Sequence, residues 1–232
     1  MLTVAYFSIG TPYEAEAELL RSSLDRVGMA HEIVGVADRG GWYANTAHKA
    51  NFLRKRRIAH QGPLLYVDVD AFVHQNCERY FEDLQTRGYD FGAHWFRGPS
   101  KGHDRTKVQA EGHRMLSGTL FLGDTPGCQQ LLDLWCNLNA LFRRYGAVQG
   151  GGQKNLWYLT TCLKDLRIAK LPGRYCYVFD KPWAYDPHEP RIIEHTIGSR
   201  QHRPQAGEPD AICTRENPKR CQRITELAGR VV

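Results

Sequence analysis

Apolar positions along this chain fall into two rhythms. Leu2–Ser8 (LTVAYFS) is a run of β-formers closed by Gly10, Thr11 and Pro12, which predicts a buried strand and a turn. From Tyr13 to Val27 the apolar residues Ala15, Leu19, Leu20, Leu24 and Val27 recur close to every fourth position, one buried face of a helix that Gly28 stops. Glu32–Val36 predicts a second strand, Thr46–His60 a helix ending before Gly62 and Pro63, and Leu64–Val73 (LLYVDVDAFV) a third strand. Later strands over Asp90–Phe96, Leu116–Leu122 and Tyr175–Phe179, with helices over about Gly127–Tyr145 and Gly152–Leu163, continue the series. Strand alternating with helix predicts an α/β fold with a mixed, largely parallel sheet flanked by helices.

Two stretches break the rhythm. Arg97–Arg114 (RGPSKGHDRTKVQAEGHR) has few apolar residues between two strands and predicts a long loop of the kind that carries function. Gln201–Arg223, with three prolines and mixed charge, predicts an irregular tail over the surface. The length of 232 residues allows one domain with such a tail, and 42% hydrophobic with 24% charged residues excludes fibrous and wholly disordered classes. The longest uncharged stretch, Met1–Tyr13, is shorter than the ~18 apolar residues of a membrane span. It also lacks the basic start of a secretory signal, so a cytoplasmic location is expected. Seven scattered cysteines without a CxxC pair are expected to be reduced thiols, and neither they nor His94, His103 and His113 have zinc-site spacing. A net charge of +6 permits an acidic ligand.

The sharpest chemical signal is Asp68-Val69-Asp70. On an extended strand these two carboxylates point the same way and can face one hard divalent cation or the phosphates it carries. The end of a strand is also where open α/β sheets bind ligands. The alternative is a strand that ends in a solvated acidic turn.

Three downstream segments join this motif in order: LSGTLFLG (Leu116–Gly123), GGGQKNLWYL (Gly150–Leu159) and IIEHTIGSR (Ile192–Arg200). The set resembles the GT-A nucleotide-sugar glycosyltransferases, above all the glycogenin-like retaining transferases. The resemblance implies a Rossmann-like GT-A domain over residues 1–200, with residues 201–232 as a C-terminal tail packed on it. It implies transfer of a sugar from a nucleotide-diphosphate sugar, expected to be a UDP-sugar, with Mn²⁺ or Mg²⁺ as cofactor. Asp70 and His195 then are metal ligands, and Asp68 binds the metal and a ribose or sugar hydroxyl. Gly118 belongs to the strand behind the donor sugar. Gly198, Ser199 and Arg200 fall to the diphosphate, for which arginine is well suited. Gln153 takes the place of the glutamine that stabilises developing charge at the anomeric carbon. Because Gly152 stands where the family carries a carboxylate, no general base is offered there, and retention is the expected outcome. Gln201 likewise stands where such transferases carry a lysine. Tyr13 can stack on the base and Asp38 can accept from base or ribose, against a cap neighbour and a surface turn as alternatives. Lys49, in TAHKANFL, resembles a donor-binding basic residue; a solvated helix lysine is its alternative.

For the acceptor, the loop residues Lys101, His103, Arg105 and Lys107 form a locally basic set that suits a polyanion, such as DNA bearing a hydroxymethylated base or a phosphorylated bacterial glycan. Arg54-Lys55-Arg56-Arg57 cannot share one helix face and is read as solvated. Two other classes compete. Haloacid-dehalogenase phosphatases also open with a DxD strand, but Asp70 is followed by Ala71-Phe72-Val73 rather than Gly-Thr. A non-catalytic nucleic-acid-binding module explains the basic loop and leaves the acidic pair without purpose.

Overall fold

The apolar runs assemble into a sheet buried on both faces. The computed structural model describes residues 1–96, 114–144, 151–204, 208 and 215–231. Strand β1 (Leu2–Ser8) lies between β2 (His31–Val36) and β3 (Leu64–Val67), parallel to both. Strand β6 (Arg114–Leu122) runs antiparallel to β3 and to β5 (Phe91–Phe96), and β7 (Ile168–Lys170) is parallel to β5. Among the described residues the order is β2-β1-β3-β6-β5-β7, with β6 alone reversed. Alternate residues feed opposite cores. Val4, Tyr6, Leu64, Tyr66 and Leu120 meet Trp135 and Leu156 beneath α3 (Lys49–Ala59), α5 (Pro126–Arg144) and α6 (Gly151–Cys162). Ala5, Leu65, Val67 and Phe121 meet Leu20, Leu24 and Phe81 beneath α1 (Tyr13–Arg26) and α4 (Glu78–Thr86).

The strand expected over Leu64–Val73 is two strands in two sheets. The β3–β6 ladder extends to Asp68 N–H, which donates to Gly118 O at 2.8 Å; the chain then turns, and Ala71 N–H donates to Asp68 O at 3.0 Å. Val69 is buried by this turn. Strand β4 (Ala71–Val73) pairs antiparallel with β9 (Ile193–His195), which is parallel to β8 (Tyr177–Val178). The expectation of an extended Asp68-Val69-Asp70 is therefore corrected: the motif is a turn at the seam between the sheets. The run expected over Tyr175–Phe179 is similarly a 3₁₀ turn over Gly173–Tyr175 followed by the two residues of β8.

The helix expected over Thr46–His60 starts earlier and is interrupted. Helix α2 (Trp42–Ala47) ends where His48 N–H reaches back to Asn45 O at 3.2 Å, an i−3 bond, before α3 resumes. Within the stretch expected to be irregular, α7 (Ser199–His202) and α8 (Pro218–Ala228) are helical. Asn217 caps α8 by accepting from Arg220 N–H at 3.2 Å, and Pro218 occupies the first turn. Arg223 of α8 forks onto Glu194 of β9, with both bonds at 2.7 Å, and His74 Nε2 lies 3.0 Å from the same carboxylate. Burial alone would raise the Glu194 pKa, but these partners push it down to about 2. Among the described residues no helix is long and apolar enough to cross a membrane.

Candidate functional site

The seam turn lies where β1, β3 and β6 open toward α2, α3 and α6, and it splits into two charge clusters. In the first, Asp68 Oδ1 accepts from Tyr66 OH at 2.6 Å and from Lys49 Nζ at 2.7 Å. Lys49 also donates to Ser117 O at 3.0 Å and sits 4.8 Å over the Tyr66 ring, with its side chain only 11% exposed. The first residue of α3 is therefore an inward-facing cation, and the alternative of a solvated lysine falls. Burial, and then the Asp68 charge, push the Tyr66 hydroxyl well above its ordinary pKa and keep it a donor.

Ser117 ties this cluster to Gln153. Its backbone N–H and hydroxyl lie 3.3 and 3.2 Å from Gln153 Oε1. Since a backbone N–H can only donate, the Gln153 amide is set with its oxygen toward β6. The start of α6 is pinned by Trp135 Nε1, which donates to Gly152 O at 2.8 Å, and by Asn155 Nδ2, which donates to Asn139 Oδ1 at 2.8 Å.

In the second cluster Asp70 Oδ2 accepts from Gly198 N–H at 2.6 Å, and Asp70 Oδ1 is 3.5 Å from His195 Nδ1. Asp70 O accepts from Thr196 N–H at 2.8 Å and Thr196 Oγ1 at 3.0 Å. Burial opposes the Asp70 charge, yet His195 and the Gly198 N–H outweigh it and hold the pKa below the ordinary carboxylate range. Burial likewise opposes a charged His195, but its neighbours Cys176 and Asp70 raise its pKa above the usual imidazole value. His195 Nε2 is 2.8 Å from Thr119 Oγ1. Gly118 makes room for this ring: a Cβ there would lie 2.9 Å from His195 Cε1. Between His195 and Gly198, Ile197 adopts φ 56°, a strained conformation for a β-branched residue.

The structure thus brings Asp70 and His195 together, flanked by Gly118 and Gly198, and turns Asp68 toward Lys49. One carboxylate and one imidazole in contact, with a second carboxylate on the same turn, suit a borderline divalent cation such as Mn²⁺. Among the described residues, no three His, Cys, Asp or Glu side chains gather around one point. The fit is therefore a two-ligand core with Asp68 engaged beside it; the carboxylate of Asp68 keeps further lone pairs for a cation.

Beside these clusters, Tyr13 OH accepts from Trp42 Nε1 at 3.3 Å, and its ring meets His202 edge-on at 5.1 Å. Asp38 accepts from Asn45 Nδ2 at 2.7 Å and Gly40 N–H at 3.1 Å, and these bonds lower its pKa. The side chains of Ser199 and Arg200, and the whole of Lys101, His103, Arg105 and Lys107, lie outside the described residues. Sequence reasoning did not single out Tyr66, Ser117, Thr196 or Arg220. Ser117 and Thr196 stood inside motifs already quoted, next to residues that were named. Tyr66 had only its place two residues before Asp68, and the signal for Arg220 was the Asn217-Pro218 helix start.

No protein-family model matches the chain, and no curated protein sequence does. Solved structures do. A glycosyltransferase involved in the glycosylation of the major capsid of PBCV-1 aligns over 98% of both chains with a TM-score of 0.61 and 11% identity. LgtC, in a structure whose active-site glutamine is changed to glutamate, aligns over 99% of this chain and 96% of its own, with a TM-score of 0.59 and 14% identity. The galactosyltransferase LgtC with donor and acceptor sugar analogs gives a TM-score of 0.56 over the same shares, also at 14% identity. At such identities the likeness is one of fold, and the fold is that of the GT-A nucleotide-sugar glycosyltransferases.

Proposed function

We propose that this protein is a metal-dependent glycosyltransferase that moves a sugar from a UDP-sugar to an acceptor hydroxyl with retention. The observation that carries the reading is the contact of Asp70 with His195 at the seam turn, where two distant segments converge between the two sheets of a GT-A fold. When held by Asp70 and His195 with Asp68 beside them, Mn²⁺ or Mg²⁺ supplies positive charge against a departing diphosphate. The chain's own groups do the rest. Lys49 fixes Asp68 and brings a buried positive charge to the donor side of β6. Gly198 N–H holds Asp70 ionised. Tyr13, Asp38 and Trp42 offer rings and a carboxylate to the nucleoside, and Ser199 and Arg200 offer donors to the diphosphate. Gln153, fixed by Ser117, borders the sugar. With glutamine rather than a carboxylate at the start of α6, that helix start offers no general base, which favours retention, and LgtC also carries an active-site glutamine. The basic residues Lys101, His103, Arg105 and Lys107 favour a polyanionic acceptor, nucleic acid or phosphorylated glycan.

Thermal melting with UDP, GDP, ADP and CDP, each with and without Mn²⁺, tests this reading. The expected result is a rise in melting temperature with UDP that requires Mn²⁺. A cooperative melt that no nucleotide shifts would overturn it, and a shift with another base would reassign the donor.

A further inference from the structure

The geometry points to Arg220, on the C-terminal helix α8, as the positioning residue that sets the His195–Gly198 turn and, through it, the orientation of the Asp70 carboxylate. This rests on the reading of Asp70 and His195 as cation ligands and extends it to a segment with no part in the motif set.

Arg220 is 3% exposed, an unusual place for a guanidinium, and two of its hydrogen bonds go to Thr196 in this turn. Nε donates to Thr196 O at 3.1 Å and Nη2 to Thr196 Oγ1 at 3.2 Å. Nη1 donates to Gln201 Oε1 at 2.7 Å, just beyond the turn. Nη2 also pairs with Glu16 of α1, so the cation is charge-compensated from the opposite side. A Cβ on Gly198 would lie 3.2 Å from Nη2 and 3.1 Å from Glu16 Oε1, so the guanidinium packs directly on the glycine whose N–H holds Asp70.

The turn needs such a clamp. Ile197 sits at φ 56°, a conformation that persists only when its surroundings over-determine it. Thr196 is bound on both sides, its oxygens accepting from Arg220 while its N–H and hydroxyl donate to Asp70 O. Removing the fork frees Thr196 O and lets Ile197 relax toward ordinary φ. Gly198 N–H then swings away from Asp70 Oδ2. Lysine keeps the charge but presents a single ammonium that cannot span Thr196 and Gln201 together. The inference therefore concerns geometry, and R220K isolates it.

The test is Mn²⁺ binding followed by electron paramagnetic resonance, without nucleotide, on wild type, R220K and T196V, each first shown to melt cooperatively. T196V keeps Arg220 and its helix but removes the hydroxyl shared by Arg220 and Asp70. Both variants are expected to bind Mn²⁺ at least tenfold more weakly per folded molecule, with a stoichiometry of one. Unchanged Mn²⁺ affinity in a folded R220K, whatever its melting temperature, would reduce Arg220 to a tether for α8 and overturn the proposal. If R220K does not fold, unchanged affinity in T196V overturns it in the same way. A wild-type protein that binds no Mn²⁺ would instead fell the reading of Asp70 and His195 as ligands, and the role of Arg220 with it.

Discussion

Gly118 and His195 illustrate how closely single residues in this site depend on one another. The resemblance placed Gly118 in the strand behind the donor sugar, and the space of its missing side chain is filled by the imidazole of His195. A methyl at Gly118 has to displace a ring that is 2% exposed and bonded to Thr119. G118A is therefore expected to destabilise the fold by about 1–3 kcal/mol and to cut donor hydrolysis at least tenfold. Chemical denaturation and a hydrolysis assay check the two halves, and full hydrolysis would show that the ring has another place to go. Lys49 makes a second case. K49M keeps the aliphatic stem but removes the ammonium that bonds Asp68 and Ser117 O and lies over Tyr66, so some loss of stability is expected, while transfer by the folded protein should fall at least tenfold. Equal losses of stability and activity would mark the lysine as structural.

The elements divide by how their burial is achieved. Strands β1, β3 and β6 were legible in the sequence because their buried residues are consecutive and apolar. Asp70, His195 and Lys49 could be named because each sits inside or next to such a run. Helices α4 and α8 were not read, since α4 buries only Phe81 and Leu84 among nine residues and α8 buries only Arg220 and Leu227. Charge rather than hydrophobic period holds α8, and that partnership is invisible until distant strands are in place. The same reasoning explains the misread seam: one apolar run from Leu64 to Val73 serves two sheets, and period alone cannot show where it changes partner. Because Glu194 is fully buried beneath Arg223, R223A should leave an uncompensated carboxylate and cost about 3 kcal/mol. In a chain this long that is a fall of roughly 10 °C in melting temperature, and calorimetry would read it. A fall of no more than a degree would mean that His74 and Arg191, whose Nη1 lies 3.5 Å from Glu194 Oε2, suffice.

At the scale of the whole molecule, the excess of positive charge becomes a statement about the acceptor. If the basic segment with Lys101, Arg105 and Lys107 meets a polyanion, neutralising all three should weaken acceptor binding. It should also reduce the slope of log affinity against log salt by roughly 2 to 3. A slope unchanged by the triple substitution would send the acceptor search toward neutral glycans. The donor-side readouts, namely Mn²⁺ affinity and the nucleotide-dependent melt, should not respond to that substitution.

The pairing of Glu16 with Arg220 joins residues 204 positions apart. Contacts of such separation close a very large loop and form late. During synthesis the N-terminal part emerges first, so a nascent chain can present the seam turn and His195 before α8 has left the ribosome. On that timetable the Thr196–Gly198 turn is fixed only once α8 has docked on Glu16.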